Sequence, residues 1–167
     1  NDVELLAAFP EIDVQGNGVS IANNDLTPTT TDGTDVGTAY EGSFKLDTFI
    51  IRNTGLDTLD LSGAPRVAIS GDAEFTISTQ PGAQVNPGQQ DTFVVRFTPT
   101  CTMGVRTATL SIANDDPDEN PYVFAIQGTA ADTTSPTAAC KDTTIYLDGT
   151  GNFTTDSTYT NNGSSDN

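Results

Sequence analysis

The period of the apolar residues constrains this chain more than any other feature. They occur in short runs in which every second position is apolar, and each run is closed by Gly, Pro, Asn or Asp. A period of two places alternate side chains on one face of an extended strand, whereas an amphipathic helix repeats its apolar positions every three to four residues. Ile12 and Val14 begin the series, and Val19 and Ile21 follow a Gly16-Asn17-Gly18 turn. From Phe44 the pattern is regular: Phe49 and Ile51, Leu59 and Leu61, Val67 and Ile69, Phe75 and Ile77, then Phe93, Val95 and Phe97. Ala108, Leu110 and Ile112 are answered across a polar turn by Tyr122, Phe124 and Ile126, the pattern of a closing hairpin. One face of each strand is expected to be buried.

About seven strands in roughly 120 residues is the inventory of an immunoglobulin-like sandwich. The expected fold class is therefore all-β: an immunoglobulin-like antiparallel β-sandwich of about seven strands, plus a short incomplete β segment at the C-terminus. Antiparallel pairing follows from the short connections, since parallel strands need long crossovers, usually helical, and the sequence offers none. Pro87-Gly88 makes a turn into the run at 93–97, which is expected to be a central strand. Residues 24–43 are rich in Thr, Asp and Gly without clear period and read as a long loop or a ragged edge strand.

After Gly128 the texture becomes small, polar and proline-terminated, which is linker composition. The expected organisation is a sandwich over residues 1–130, a linker over 131–139 and the start of a second, incomplete β domain over 140–167. In that last part Ile145-Tyr146-Leu147, a turn over Asp148-Gly149-Thr150-Gly151-Asn152, and Phe153 read as strand, turn and return strand. Two strands cannot bury a core of their own. Residues 141–160 are thus expected to be ordered only through contacts outside their own segment, foremost with another copy of the chain by strand addition or domain packing, with truncation of a tandem domain as the competing explanation.

Charge narrows the partners. Six Lys and Arg stand against 23 Asp and Glu, a formal net charge of −17, which repels nucleic-acid phosphates and anionic lipid head groups. Neither nucleic-acid binding nor direct membrane insertion is expected, and Phe49-Ile50-Ile51 and Phe93-Val94-Val95 are far too short to span a bilayer. The chain begins at Asn1 rather than Met, which reads as a fragment or processed product. The two cysteines, Cys101 and Cys140, do not make a disulfide-dense scaffold. A bridge between them and a partner for Cys140 beyond Asn167 both stay open.

With no histidine in the sequence, histidine-based triads, histidine-ligated zinc and imidazole acid–base catalysis are excluded. Carboxylates are abundant but lie in turn-like segments, and without tryptophan no aromatic sugar platform accompanies them. The chain is expected not to be an enzyme and to require no cofactor.

The densest set of ligand-type side chains is Asn114-Asp115-Asp116-Pro117-Asp118-Glu119-Asn120, which gathers oxygen donors in one hairpin loop. Hard oxygen donors are what calcium needs, and Asp115, Asp116, Asp118 and Glu119 are the candidate ligands, although the spacing is not that of an EF-hand. The plainer reading is that Asp and Asn bond their own backbone in acidic turns. Asp32-Gly33-Thr34-Asp35, Asp156 and Asp166 read as solvated loops. Asn152-Phe153-Thr154 and Asn162-Gly163-Ser164 match the N-glycosylation acceptor.

Several stretches carry a family resemblance: Phe49-Ile50-Ile51-Arg52-Asn53-Thr54-Gly55, Phe97-Thr98-Pro99, Arg106-Thr107-Ala108-Thr109-Leu110-Ser111-Ile112, and Phe124-Ala125-Ile126-Gln127-Gly128-Thr129-Ala130. With the Asn-Asp-Asp-Pro-Asp-Glu-Asn-Pro-Tyr loop, they make residues 10–131 resemble the choice-of-anchor D group, immunoglobulin-like domains related to the ASPM, SPD-2 and Hydin module. In that pattern Asn53-Thr54-Gly55 closes a strand with a positive-φ residue and Pro99 ends the next long strand. Cys101-Thr102-Met103 departs from the small polar residues expected there. The tail, Pro136-Thr137-Ala138-Ala139-Cys140-Lys141-Asp142-Thr143-Thr144-Ile145-Tyr146-Leu147-Asp148 with Ser164-Ser165-Asp166-Asn167, resembles the opening of a HYR-like repeat.

Such repeats occur in long Bacteroidetes surface adhesins exported by the type IX system. The resemblance implies a secreted, extracellular or cell-surface location and O-glycosylation at Asp132-Thr133-Thr134 and Asp142-Thr143-Thr144. The expected function is a non-catalytic structural module of a large surface adhesin or filament, a spacer or assembly subunit, with other copies or neighbouring domains of the same long protein as partners. The alternative is an accessory module that binds a surface glycan or protein through loops near 24–43 and 79–90, where the sequence offers Tyr40 as the aromatic.

Overall fold

The structure, a computed structural model, describes residues 8–100, 103–132, 137 and 146–153. The chain divides into two compact units, Asn1–Ala131 and Asp132–Asn167. Cys101, Cys140, the two Asp-Thr-Thr threonine pairs, Asn162, Asp156, Asp166 and most of 141–160 lie outside the described residues.

Eleven strands are found among the described residues: β1 (Ile12–Gly16), β2 (Val19–Ile21), β3 (Asp35–Tyr40), β4 (Lys45–Asn53), β5 (Leu59–Asp60), β6 (Val67–Gly71), β7 (Phe75–Thr79), β8 (Gln84–Val85), β9 (Gln90–Phe97), β10 (Gly104–Ile112) and β11 (Tyr122–Ala131). Five form one sheet in the order β2-β1-β4-β9-β7, four form a second in the order β3-β11-β10-β6, and β5 and β8 make a separate short pair. This is an all-β, immunoglobulin-like sandwich. The alternating residues meet between the sheets. Phe49 on β4 stacks on Phe93 of β9 at 5.3 Å between ring centroids and meets Phe124 of β11 in the opposite sheet at 5.7 Å. Each such fully buried ring contributes about 1.5–3 kcal/mol by its removal from water.

The closing hairpin has the register its alternation requires, with Ala108 opposite Ile126, Leu110 opposite Phe124 and Ile112 opposite Tyr122. β9 lies inside its sheet, flanked by β4 and β7. Asn17 and Gly18, at φ of 52° and 77°, make the two-residue turn between β1 and β2, the geometry that an Asn-Gly pair favours. Val19, in contrast, is 40% exposed, because β2 is a three-residue arm at the sheet edge.

Two expectations are corrected. Pairing is not antiparallel throughout: β3 runs parallel to β11. Short connections constrain only strands adjacent in sequence, and here the intervening strands make the crossover that a helix would otherwise supply. Residues 24–43 accordingly contain an edge strand. Gly55 does not supply a positive φ, since the left-handed residues lie elsewhere. It is glycine because a Cβ there would sit 2.4 Å from Phe9 O and 2.5 Å from Glu11 N.

In the second unit Asp148 forms the turn read from the sequence, but the strands expected on either side are not seen among the described residues: Tyr146, Leu147 and Phe153 are in no strand, and Tyr146 and Leu147 are exposed. Asp148 Oδ1 accepts the N–H groups of Thr150 and Asn152, each at 2.9 Å, and Gly151 takes a φ of 79°. These three hydrogen bonds, Thr150 Oγ1 included, hold the Asp148 carboxyl below its ordinary value, the Asn152 N–H foremost.

Candidate functional site

The acidic loop between β10 and β11 begins with a buried asparagine. Asn114, 2% exposed, donates from Nδ2 to Ile112 O (3.0 Å) and Glu119 O (3.1 Å), and its Oδ1 accepts the Asp116 N–H at 2.8 Å. One side chain thus closes the loop on itself. Asp116, 1% exposed, is held in turn: Oδ1 accepts the Asp118 N–H at 3.2 Å and Oδ2 accepts the Ile12 N–H at 2.9 Å. That second bond reaches 104 residues back along the chain to the first residue of β1.

The start of β1 has a further anchor in Asn53, also 1% exposed. Asn53 Oδ1 accepts from Glu11 N (3.3 Å) and Gly55 N (3.0 Å), while Nδ2 donates to Asp57 O (2.6 Å) and Val85 O (2.8 Å). Two buried polar side chains therefore fasten the β1 entry to two different loops. A buried polar group is tolerated only when its hydrogen bonds are made, and among the described residues none of these side chains is left unsatisfied.

Of the four candidate ligands, Asp116 and Asp118 are brought together and are joined by Glu11, one carboxylate oxygen of each lying within 4.8 Å of the others. Asp115 turns away, accepting the Asp60 N–H at 2.8 Å. Glu119 is outside this triplet but feels it. Burial first, then the charges of Asp116, Glu11, Asp118 and Asp13, push the Glu119 carboxyl above its ordinary value. Burial and the charges of Asp116 and Asp118 do the same to Glu11. Chemically, the triplet is a concentration of negative charge that a proton or a cation would relieve. It offers three carboxylates where calcium takes about six to eight oxygens, and both oxygens of Asp116 already accept backbone hydrogen bonds.

The other acidic candidates have structural partners. Asp32 Oδ1 accepts from Thr34 N (3.0 Å) and Thr34 Oγ1 (2.6 Å). Burial pushes its carboxyl up, but these bonds, with Thr29, outweigh it and leave the group below its ordinary value. Asp35 accepts from Gly37 N and Gln127 Nε2. Tyr40 ends β3 and is 47% exposed, and residues 79–90 contain β8, paired with β5.

Sequence reasoning missed Glu11 and Asn53. Glu11 carries no local signal, because what makes it part of the cluster is the bond between Asp116 and its neighbour Ile12. The signal for Asn53 was its place directly after the apolar Phe49 and Ile51 at the same parity, an inward position occupied by a polar residue.

No family model matches the sequence, and no curated protein matches it. Among solved structures, the chain is similar to PapD-like (ASH) domain 7 of human CEP192, with a TM-score of 0.48 at 12% identity over 80% of this chain and 96% of that one. It is also similar to the CARDB domain of PF1109 from Pyrococcus furiosus, with a TM-score of 0.44 at 12% identity over 75% and 98%. A third likeness is to SSP-19, an MSP-domain-like protein of Caenorhabditis elegans, with a TM-score of 0.39 at 15% identity over 60% and 96%.

Proposed function

We propose that this chain is a non-catalytic structural module of a large secreted surface adhesin or filament, acting as a spacer or assembly subunit. The assignment to the choice-of-anchor D and HYR-like groups belongs to the same reading, as do the cell-surface location and the partners, which are other copies or neighbouring domains of the same long protein. The observation that supports it is the fastening of the β1 entry to two loops by Asn53 and Asp116. Loops used for recognition are commonly free to rearrange, whereas these are tied by buried side chains, which suits a module that keeps its shape. The test is brief protease treatment of intact producing cells, followed by immunoblotting. The module should disappear from the blot while a cytoplasmic marker survives. Full retention in treated cells, with release only on lysis, would end the extracellular reading.

A second reading adds calcium at Glu11, Asp116 and Asp118, favoured by the convergence of their carboxylates.

A further inference from the structure

Among the described residues the four-stranded sheet ends at β6, which has a ladder partner, β10, on one side only. Asp72, one residue past β6, donates to Thr107 O at 2.9 Å. Backbone groups alternate along a strand, so Ala68 and Ser70 also face β10, while Val67 and Ile69 turn their N–H and C=O groups away from it. At Val67 this outward pair is met by a side chain. Gln80 Oε1 accepts the Val67 N–H and Gln80 Nε2 donates to Val67 O, both at 2.9 Å. The carboxamide does there what the peptide group of a neighbouring strand would do. Ile69, next on the same side, is in no ladder there among the described residues.

Between this edge and β7 of the other sheet runs a groove of about 390 Å³, walled by Pro65, Val67, Ile69, Thr76 and Ile77 with Gln80 at its border, and among the described residues no charged side chain lines it. This is unusual ground on a chain of net charge −17. Ile69 and Ile77 are partly buried against the core. β7 is the poorer acceptor, because its ladder to β9 shifts register between Ile77 and Thr79, and a bulge disrupts further pairing.

We propose that the β6 edge accepts an extended, uncharged strand from a separate polypeptide, which pairs with Ile69 and lays its apolar side chains into the groove, while Gln80 is the latch at the Val67 end. Each property of the occupant has a cause. It is a peptide because the edge presents a donor and an acceptor side by side, already matched at Val67 by an amide. It is uncharged because the groove would desolvate a charge without offering a counter-charge. It is apolar at alternate positions because only one face of an added strand meets the groove. A second copy pairing through its own β6 would have to bring two strongly acidic chains together with two latches in the way.

The test titrates the full ¹⁵N-labelled chain with the capped hexapeptide Thr-Val-Thr-Val-Thr-Val and, separately, with its Thr-Asp-Thr-Asp-Thr-Asp analogue. Amide shifts are expected at residues 67–71 and 75–80 with the first peptide and not with the second. Ile69→Lys, which puts a charge into the groove, should weaken binding by about tenfold or more, and Gln80→Ala, which frees the Val67 pair, should tighten it by about threefold. Thr76→Glu, on the exposed rim, replaces Ile69→Lys if that variant fails to fold. Absence of shifts in both wild type and Gln80→Ala at millimolar peptide, or unchanged affinity in a folded groove variant, overturns the proposal. So does self-association in sedimentation equilibrium that the groove variant abolishes, since that assigns the edge to a second copy.

Discussion

Replacing Asp116 by alanine separates a structural loop from a metal loop. The carboxylate accepts two backbone N–H groups, those of Ile12 and Asp118. Ile12 is 2% exposed, so without Asp116 its N–H loses its partner away from water, at a cost of about 1–3 kcal/mol. The bond to Asp118 is longer and lies at an exposed residue, where water replaces it, so its loss adds about 0.5 kcal/mol. Against this, removing the buried Asp116 charge relieves repulsion with exposed Glu11 and Asp118 and half-buried Glu119, which returns about 0.5–1 kcal/mol. The expected net destabilisation is about 0.5–3 kcal/mol. Asp118→Asn, which removes a charge but no buried acceptor, should be neutral or slightly stabilising. Urea unfolding of the full chain, followed by far-UV circular dichroism in the absence of divalent cations, reads both changes as shifts of midpoint at constant slope. An Asp116→Ala midpoint equal to wild type would refute the reasoning, as would Asp118→Asn being equally destabilising.

Glu119 has a folded-state pKa above its ordinary 4.5, so the native chain binds the extra proton just above that pH; the associated stability is fully present below about 4.5 and lost as pH rises through the folded value. Glu119→Gln should therefore flatten the pH dependence of the urea midpoint in that window, and an unchanged profile would contradict the assignment. If calcium occupies the cluster, millimolar Ca²⁺ should raise the wild-type melting temperature and leave Glu11→Gln with Asp118→Asn unmoved; no rise in wild type ends the metal reading. Gly128→Ala would place a Cβ 2.8 Å from both the Phe97 ring and a Val36 methyl, a crowding expected to cost about 1–3 kcal/mol by the same urea measurement.

What was legible in the sequence was what is local. Ala108, Leu110 and Ile112 face Ile126, Phe124 and Tyr122 because a hairpin sets register through its own short loop and each side chain reports its own face. β3 was harder to read for a stated reason. Its buried residues Val36 and Ala39 are three apart, Gly37 has a φ of 73°, and the ladder to β11 shifts between Gln127 and Thr129, so the period of two is interrupted. Leu59 and Leu61 read correctly as buried, but nothing near them names β8 as partner. The acidic loop was visible as a concentration of oxygen donors. Its division into a buried tie at Asp116, a side chain directed to Asp60 at Asp115 and an exposed carboxylate at Asp118 depends on β1, far away in the chain.

The parallel pairing of β3 with β11 has a mechanical consequence. β11 lies between β10 and β3, and the hydrogen bonds on both flanks run across the strand rather than along it. Tension applied through the chain beyond Ala131 therefore pulls along β11 and loads those bonds in shear, many at once, instead of peeling them apart one after another. At the other end, tension entering ahead of Ile12 meets the Asn53 and Asp116 ties before it reaches β1. Force applied at either end would therefore meet cross-linked backbone, and Asp116 would serve as a rivet between the acidic loop and β1.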